Sequence, residues 1–257
     1  MQDLNVTLVQ RELAWESPED NRQQIESLLR EQGKTSDLIV LPEMFTTGFS
    51  MNAVANAEPP GGDTERWMQQ LAAELDCAIT GSVAVRVDDG IYNRMLFATP
   101  EGTQHYDKRH LFRMAGEHKR YLAGSERKIV NWRGWNILLQ VCYDLRFPVF
   151  SRNREDYDLA IYVANWPRPR RTHWRQLLIA RAIENLSCVI GVNRIGSDAN
   201  GLEYSGDSLA VAADGELLAD LQSESETRTV SLSASGLHRY REKFPAHMDA
   251  DRFTVES

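Results

Sequence analysis

The run Ile137-Leu-Leu-Gln-Val141 is mostly apolar, five residues long, and stops at Cys142-Tyr-Asp-Leu-Arg146. A short apolar run bounded by polar punctuation reads as a buried strand. Such a strand needs cover on both faces of its sheet, which commits the chain to a layered fold. Similar strands are expected over 4–9, 37–41, 103–108, 158–164, 187–193 and 227–232, and hairpins over 77–87 with 91–98 and over 205–213 with 216–221, around Asp88-Asp89-Gly90 and Asp214-Gly215. Helical spacing appears after Ser17-Pro18-Glu19-Asp20, where Ile25, Leu28 and Leu29 recur. It appears again over 63–75 with Trp67, Leu71 and Leu75, over 172–186 and over 233–242. Residues 147–155 are expected to be helical too. The basic, aromatic, glycine-spaced stretch 108–124 reads as a loop over a site. Strand–helix units mixed with hairpins predict an α/β fold of mixed sheets covered by helices. No linker or repeat divides the chain, so 1–257 is expected to be one domain, with 243–257 as a tail.

Charge and cysteine usage narrow the partners. With 29 basic and 37 acidic side chains the net charge is −8, which opposes nucleic acid as a default partner. No apolar run approaches the roughly 20 residues of a membrane helix, and the N-terminus opens into a strand pattern without a signal peptide. Three cysteines at wide spacing (Cys77, Cys142, Cys188) imply a reducing compartment, so the cytoplasm is the expected location. The six histidines show no i,i+4 pairing on a helix, so no metal site is expected.

Three strands end on reactive side chains: Glu43 after 38–41, Lys108 after 103–107, and Cys142 after 137–141. If the strand ends meet, a base, a cation and a thiol converge. A thiol of pKa about 8.5 is mostly protonated at neutral pH and benefits from an adjacent base, a role Glu43 can fill. Acyl transfer builds charge on a carbonyl oxygen, which Lys108 and the Tyr143 backbone N–H can stabilise. The alternatives are a buried structural cysteine and a partly exposed Glu43–Lys108 ion pair at a sheet edge, worth about 0–1 kcal/mol.

Leu41-Pro-Glu43-Met-Phe45, Tyr106-Asp-Lys108-Arg-His-Leu-Phe112 and Val141-Cys142-Tyr-Asp-Leu-Arg-Phe-Pro148 resemble, in order, the three signature blocks of the nitrilase superfamily of carbon–nitrogen hydrolases. Ala180-Arg-Ala-Ile-Glu-Asn185 and Tyr240-Arg-Glu-Lys-Phe-Pro245 extend the likeness over nearly the whole chain. The resemblance implies an α-β-β-α sandwich and a Glu–Lys–Cys triad with no metal or organic cofactor. In it Glu43 is the base, Lys108 the oxyanion-stabilising lysine and Cys142 the nucleophile. Glu117 matches a second glutamate that many members carry. The resemblance also implies a homodimer that buries the helices following the cysteine and the 180–185 segment. Residues 142–153 and Val163-Ala-Asn-Trp-Pro167 resemble the bacterial omega-amidase branch, which cleaves the terminal amide of short dicarboxylic monoamides such as 2-oxoglutaramate and 2-oxosuccinamate. Deaminated-glutathione amidases and N-carbamoyl amino-acid hydrolases are the alternatives within the superfamily. A non-catalytic binding protein on the same fold is the alternative outside that chemistry.

A substrate carboxylate suits an arginine fork. Arg168 and Arg170 are the first candidates, Arg113 and Arg146 the next, and Arg171 continues the basic run. Trp166 is expected to wall the acyl chain. Arg181 and Glu184 are expected to form a structural ion pair, and Cys77 and Cys188 to be inert.

Overall fold

The structure, a computed structural model, describes residues 1–32 and 35–255. Along the chain come β1 (Leu4–Gln10), α1 (Pro18–Gln32), β2 (Leu38–Val40), α2 (Ala53–Asn56), α3 (Asp63–Leu75), β3 (Ala78–Val87), β4 (Gly90–Thr99) and β5 (Gly102–Asp107). After a loop follow β6 (Ile129–Trp132), β7 (Trp135–Val141), α4 (Pro148–Ser151), β8 (Leu159–Ala164), α5 (Arg171–Asn185) and β9 (Cys188–Asn193). The chain ends through β10 (Ile195–Ser197), β11 (Glu203–Ser205), β12 (Leu209–Val211), β13 (Leu217–Asp220), β14 (Glu226–Leu232) and α6 (Ala234–Lys243).

Two six-stranded sheets carry the fold, ordered β14-β1-β2-β3-β4-β5 and β13-β12-β9-β8-β7-β6. Both are mixed. β1-β2-β3 and β7-β8-β9 run parallel, and the flanking strands pair antiparallel. Strand side chains alternate between faces, and here both faces are buried. Leu38, Val40, Ile137, Leu139, Val141, Ile161 and Ile190 point into the core between the sheets. Their neighbours point outward: Ile39 and Ile79 toward Ile25, Leu29, Met68 and Leu71 of α1 and α3, and Leu138, Ala160 and Val189 toward Trp174, Leu178 and Ala182 of α5. The result is helix on sheet on sheet on helix, as the apolar runs required. Among the described residues no helix is long and apolar enough to cross a membrane.

Two expected elements are shorter than the sequence pattern suggested. The helix over 147–155 shrinks to α4, preceded by a 3-10 turn over Cys142–Arg146. Asn153 breaks it: Oδ1 accepts from the Asp156 and Tyr157 amides, and Nδ2 donates to the Tyr157 and Asn185 carbonyls. A side chain that competes for backbone groups in this way favours a turn over a helix. The strand over 205–213 splits at Gly206 and Asp207, both at positive φ (68° and 57°). There the Asp207 carboxylate binds Arg171, Arg175 and the Ser205 hydroxyl. The split releases β10 and β11 as a separate two-stranded hairpin.

Candidate active site

The ends of β2, β5 and β7 do meet, but not as neighbours in one sheet. β2 and β5 are separated by β3 and β4, and β7 lies in the opposite sheet. The stacking of the sheets brings their ends to one place, where Glu43, Lys108 and Glu117 are completely buried and Cys142 is half-buried at the floor of a pocket. Lys108 Nζ lies 2.8 Å from Glu43 Oε1, and 3.0 and 3.1 Å from the two oxygens of Glu117. The pair is therefore no exposed sheet-edge ion pair. Asn93 on β4 donates through Nδ2 to Glu43 Oε1 at 2.8 Å and to Glu117 Oε1 at 3.3 Å. At the end of β8, the Asn165 amide donates to Glu43 Oε2 at 2.8 Å. The Phe112 amide donates to Glu117 Oε2 at 2.6 Å. The stretch 108–124 holds two 3-10 turns, Arg113–Ala115 and Glu117–Lys119, and the second delivers Glu117.

Cys142 sits at φ 47°, in the left-handed region that non-glycine residues rarely adopt. Asp144 holds it there. Its Oδ2 accepts from the Val141 amide at 2.9 Å and the Tyr106 hydroxyl at 2.8 Å, while Oδ1 accepts from the His110 amide at 2.9 Å and lies 2.7 Å from His110 Nδ1. The cysteine thus stands on a sharp elbow braced from β5. The Tyr143 amide lies in the first turn of the 3-10 segment, where backbone N–H groups lack intrahelical partners.

Burial pushes the Cys142 thiol well above its ordinary pKa, and the nearby Glu43 carboxylate adds to this against the pull of Lys108. This favours the protonated thiol over the thiolate. Burial opposes charge on Lys108 as well, but Glu117 and Glu43 more than offset it and hold the ammonium above its ordinary value. Burial raises the Glu117 carboxyl, with Lys108 pulling it down and Glu43 pushing it up.

The pocket encloses about 580 Å³ and extends from Cys142 and Lys108 past Phe49 and Trp15 to the β10–β11 hairpin. Trp166 is buried and lines it, as do Arg146 and Arg170. The Arg146 guanidinium lies over the Trp166 ring, 4.8 Å from its centroid, and Arg170 lies over Phe112 at 5.4 Å. Among the described residues neither arginine pairs with a carboxylate. Arg146 Nη2 meets His173 Nδ1 at 2.9 Å instead. Arg168 points away: it is 62% exposed and pairs with Glu203. Arg113 is exposed and does not line this pocket, and Arg171 is held by Asp207. Arg181 and Glu184 do form the expected pair, at 2.7 Å. Among the described residues no group of three or more His, Cys, Asp or Glu is placed to hold a metal ion.

Several members of this site escape a reading by strand ends. Asn93 lies inside a strand, Asn165 was visible only as a neighbour of Trp166, and Asp144, Tyr106 and His110 form a brace whose partners are 34 or 38 residues apart in sequence.

The family model for carbon–nitrogen hydrolases matches residues 5–242. The chain is 52% identical to omega-amidase YafV of Yersinia enterocolitica over 99% of this chain and 100% of that one. It is 33% identical to 2-oxoglutaramate amidase of Bacillus subtilis over 95% and 96%. The crystal structure of a CN-hydrolase superfamily protein from Xanthomonas campestris, with an arsenic adduct in its active site, matches all of both chains with a TM-score of 0.98 and 48% identity. A nitrilase-superfamily protein of Saccharomyces cerevisiae shares the fold at a TM-score of 0.85 and 23% identity, over 95% of each chain.

Proposed function

The chain belongs to the carbon–nitrogen hydrolase family, and from that membership we propose that it is an omega-amidase, hydrolysing the terminal amide of short dicarboxylic monoamides of the 2-oxoglutaramate and 2-oxosuccinamate type. The observation that carries the reading is the gathering of Glu43, Lys108, Glu117 and Cys142, with the lysine and the cysteine lining a pocket whose two arginines have no carboxylate partner among the described residues. The full-length likeness to omega-amidases supports this substrate class over deaminated glutathione, N-carbamoyl amino acids or a non-catalytic role.

In the proposed reaction Cys142 attacks the amide carbon while Glu43 takes its proton. Lys108 and the Tyr143 N–H hold the oxyanion. Collapse of the tetrahedral intermediate breaks the C–N bond; the proton on Glu43 passes to the departing nitrogen, and ammonia leaves a thioester behind. Water then attacks the thioester and gives a proton to Glu43. Collapse expels the sulfur, which recovers that proton, and the diacid leaves. Glu117 keeps Lys108 charged and in place. Arg146 and Arg170 bind the far carboxylate against the Trp166 and Phe112 shelves.

The proposal extends to a homodimer in the cytoplasm. Val149 on α4 and Ile183 on α5 are 57% and 48% exposed, on the helices the resemblance assigns to the interface, and all three cysteines are free. Ammonia release across a panel of short ω-amides, nitriles and N-carbamoyl amino acids tests the substrate class. Turnover confined to the latter two sinks it. Sedimentation of Ile183→Asp beside the unaltered protein tests the dimer, which should dissociate.

A further inference from the structure

The carboxylate of Glu43 is unevenly solvated by its surroundings. Oε1 accepts from Lys108 Nζ and Asn93 Nδ2, both at 2.8 Å. Among the described residues Oε2 accepts only the Asn165 amide, at 2.8 Å. A carboxylate oxygen takes about two donors, so Oε1 is saturated and Oε2 keeps one lone pair free. Asn93 is completely buried, and the same Nδ2 reaches Glu117. Its backbone carbonyl accepts the Lys108 amide at 2.9 Å. Among the described residues its Oδ1 is buried with no partner, and an unpaired buried acceptor carries a desolvation cost. Turning the amide over would aim Oδ1 at two carboxylates, so chemistry fixes its orientation. The fold accepts an unpaired acceptor to keep one NH₂ group between Glu43 and Glu117.

We propose that Asn93 is a positioning residue of the reaction: by filling Oε1 of Glu43 and bridging it to Glu117, it leaves Oε2 as the oxygen that exchanges protons with Cys142. The inference rests on Cys142 and Glu43 acting as nucleophile and base, but not on the identity of the amide. The other titratable groups around the carboxylate pair are Lys108, Cys142 and Tyr121. Loss of the Asn93 donor removes a hydrogen bond that favours the ionised form of Glu43 over the protonated one. A residue that served only the fold would lower activity without moving that ionisation.

The test is the pH dependence of Cys142 alkylation by iodoacetamide, followed by peptide mass spectrometry, which needs no substrate. In Asn93→Leu the rate at neutral pH should fall roughly 10–100-fold, and the acidic limb should move up by about one pH unit. Asn93→Asp replaces the donor by a like charge in the same shape and should shift the limb in the same direction; it decides the matter if Asn93→Leu does not fold. An acidic limb at the wild-type position in the folded variants overturns the role. A limb shift together with no turnover of any ω-amide would refute the substrate reading and leave Asn93 in place. Failure of Cys142 to alkylate in the unaltered enzyme would refute the nucleophile on which both depend.

Discussion

Lys108 Nζ stands 2.8 Å from Glu43 Oε1, and neither side chain has any exposed surface. A pair sealed in this way has two consequences that an exposed pair lacks. Each charge is worth more to the reaction, and each is costly to leave alone.

Lys108→Ala and Glu43→Ala should therefore fail twice. Each should lose on the order of 10² to 10⁴ in kcat, the range for oxyanion donors and general bases. Lys108→Ala should also lose about 3–5 kcal/mol of stability, because it strands two buried carboxylates, whereas Glu43→Ala leaves Lys108 paired with Glu117 and should lose less. Steady-state kinetics and urea unfolding measure the two separately. Combined with Cys142→Ala, neither change should lower the rate much further, since the group acts as a unit.

Glu117 offers a pH signature in stability. Burial raises its carboxyl pKa in the folded state, so the folded chain holds that proton at pH values where the unfolded chain has released it. Stability from this group is then greatest at acid pH and falls as pH rises from the ordinary carboxylate value through the raised one. Glu117→Gln removes the group and should flatten that part of the profile. Melting temperatures of both proteins from about pH 4 to about pH 8 check this, the span that brackets an ordinary and a raised carboxyl.

The two pocket arginines predict a split in specificity. Arg146→Ala and Arg170→Ala should each lose roughly 2–5 kcal/mol in kcat/KM for an acid substrate, and much less for a neutral amide of equal length. Arg168→Ala and Arg113→Ala should leave both substrates nearly unchanged, because neither side chain lines the pocket. Equal losses on acid and neutral substrates in the first two variants would mean that the carboxylate is read elsewhere.

Cys77 and Cys188 should matter only for packing. Both are buried, with thiols pushed up to about 12 by burial. Cys77→Ala and Cys188→Ala should cost about 1 kcal/mol or somewhat more in thermal unfolding, with kcat unaltered.

The sandwich was legible because every core strand repeats one physical signal. Leu38 and Val40 face one layer and Ile39 the other, so a short run apolar on both sides implies a sheet covered on both faces. The convergence of Glu43, Lys108 and Cys142 was legible because each stands just past a strand: Glu43 two residues after Leu41, Lys108 after Asp107 and Cys142 after Val141. Asn153 and Asp207 were not: each acts through side-chain bonds to groups brought close by the fold, and these end a helix and divide a strand against the local pattern. The arginines show the same limit. Arg168 and Arg170 are two residues apart, yet one pairs with Glu203 outside the pocket and the other lies on Phe112 inside it. Direction of this kind depends on the partner surface, which spacing along the chain does not describe.

Covalent capture shows whether Cys142 carries the acyl group. The enzyme is mixed with 2-oxoglutaramate, quenched in acid on the scale of one turnover, digested and mapped by mass spectrometry. The expected result is the acyl mass on the peptide carrying Cys142, released ammonia equal to the acyl-enzyme formed, and neither product in Cys142→Ala. Ammonia released by Cys142→Ala at the rate of the unaltered enzyme, with no adduct on Cys142, would contradict it.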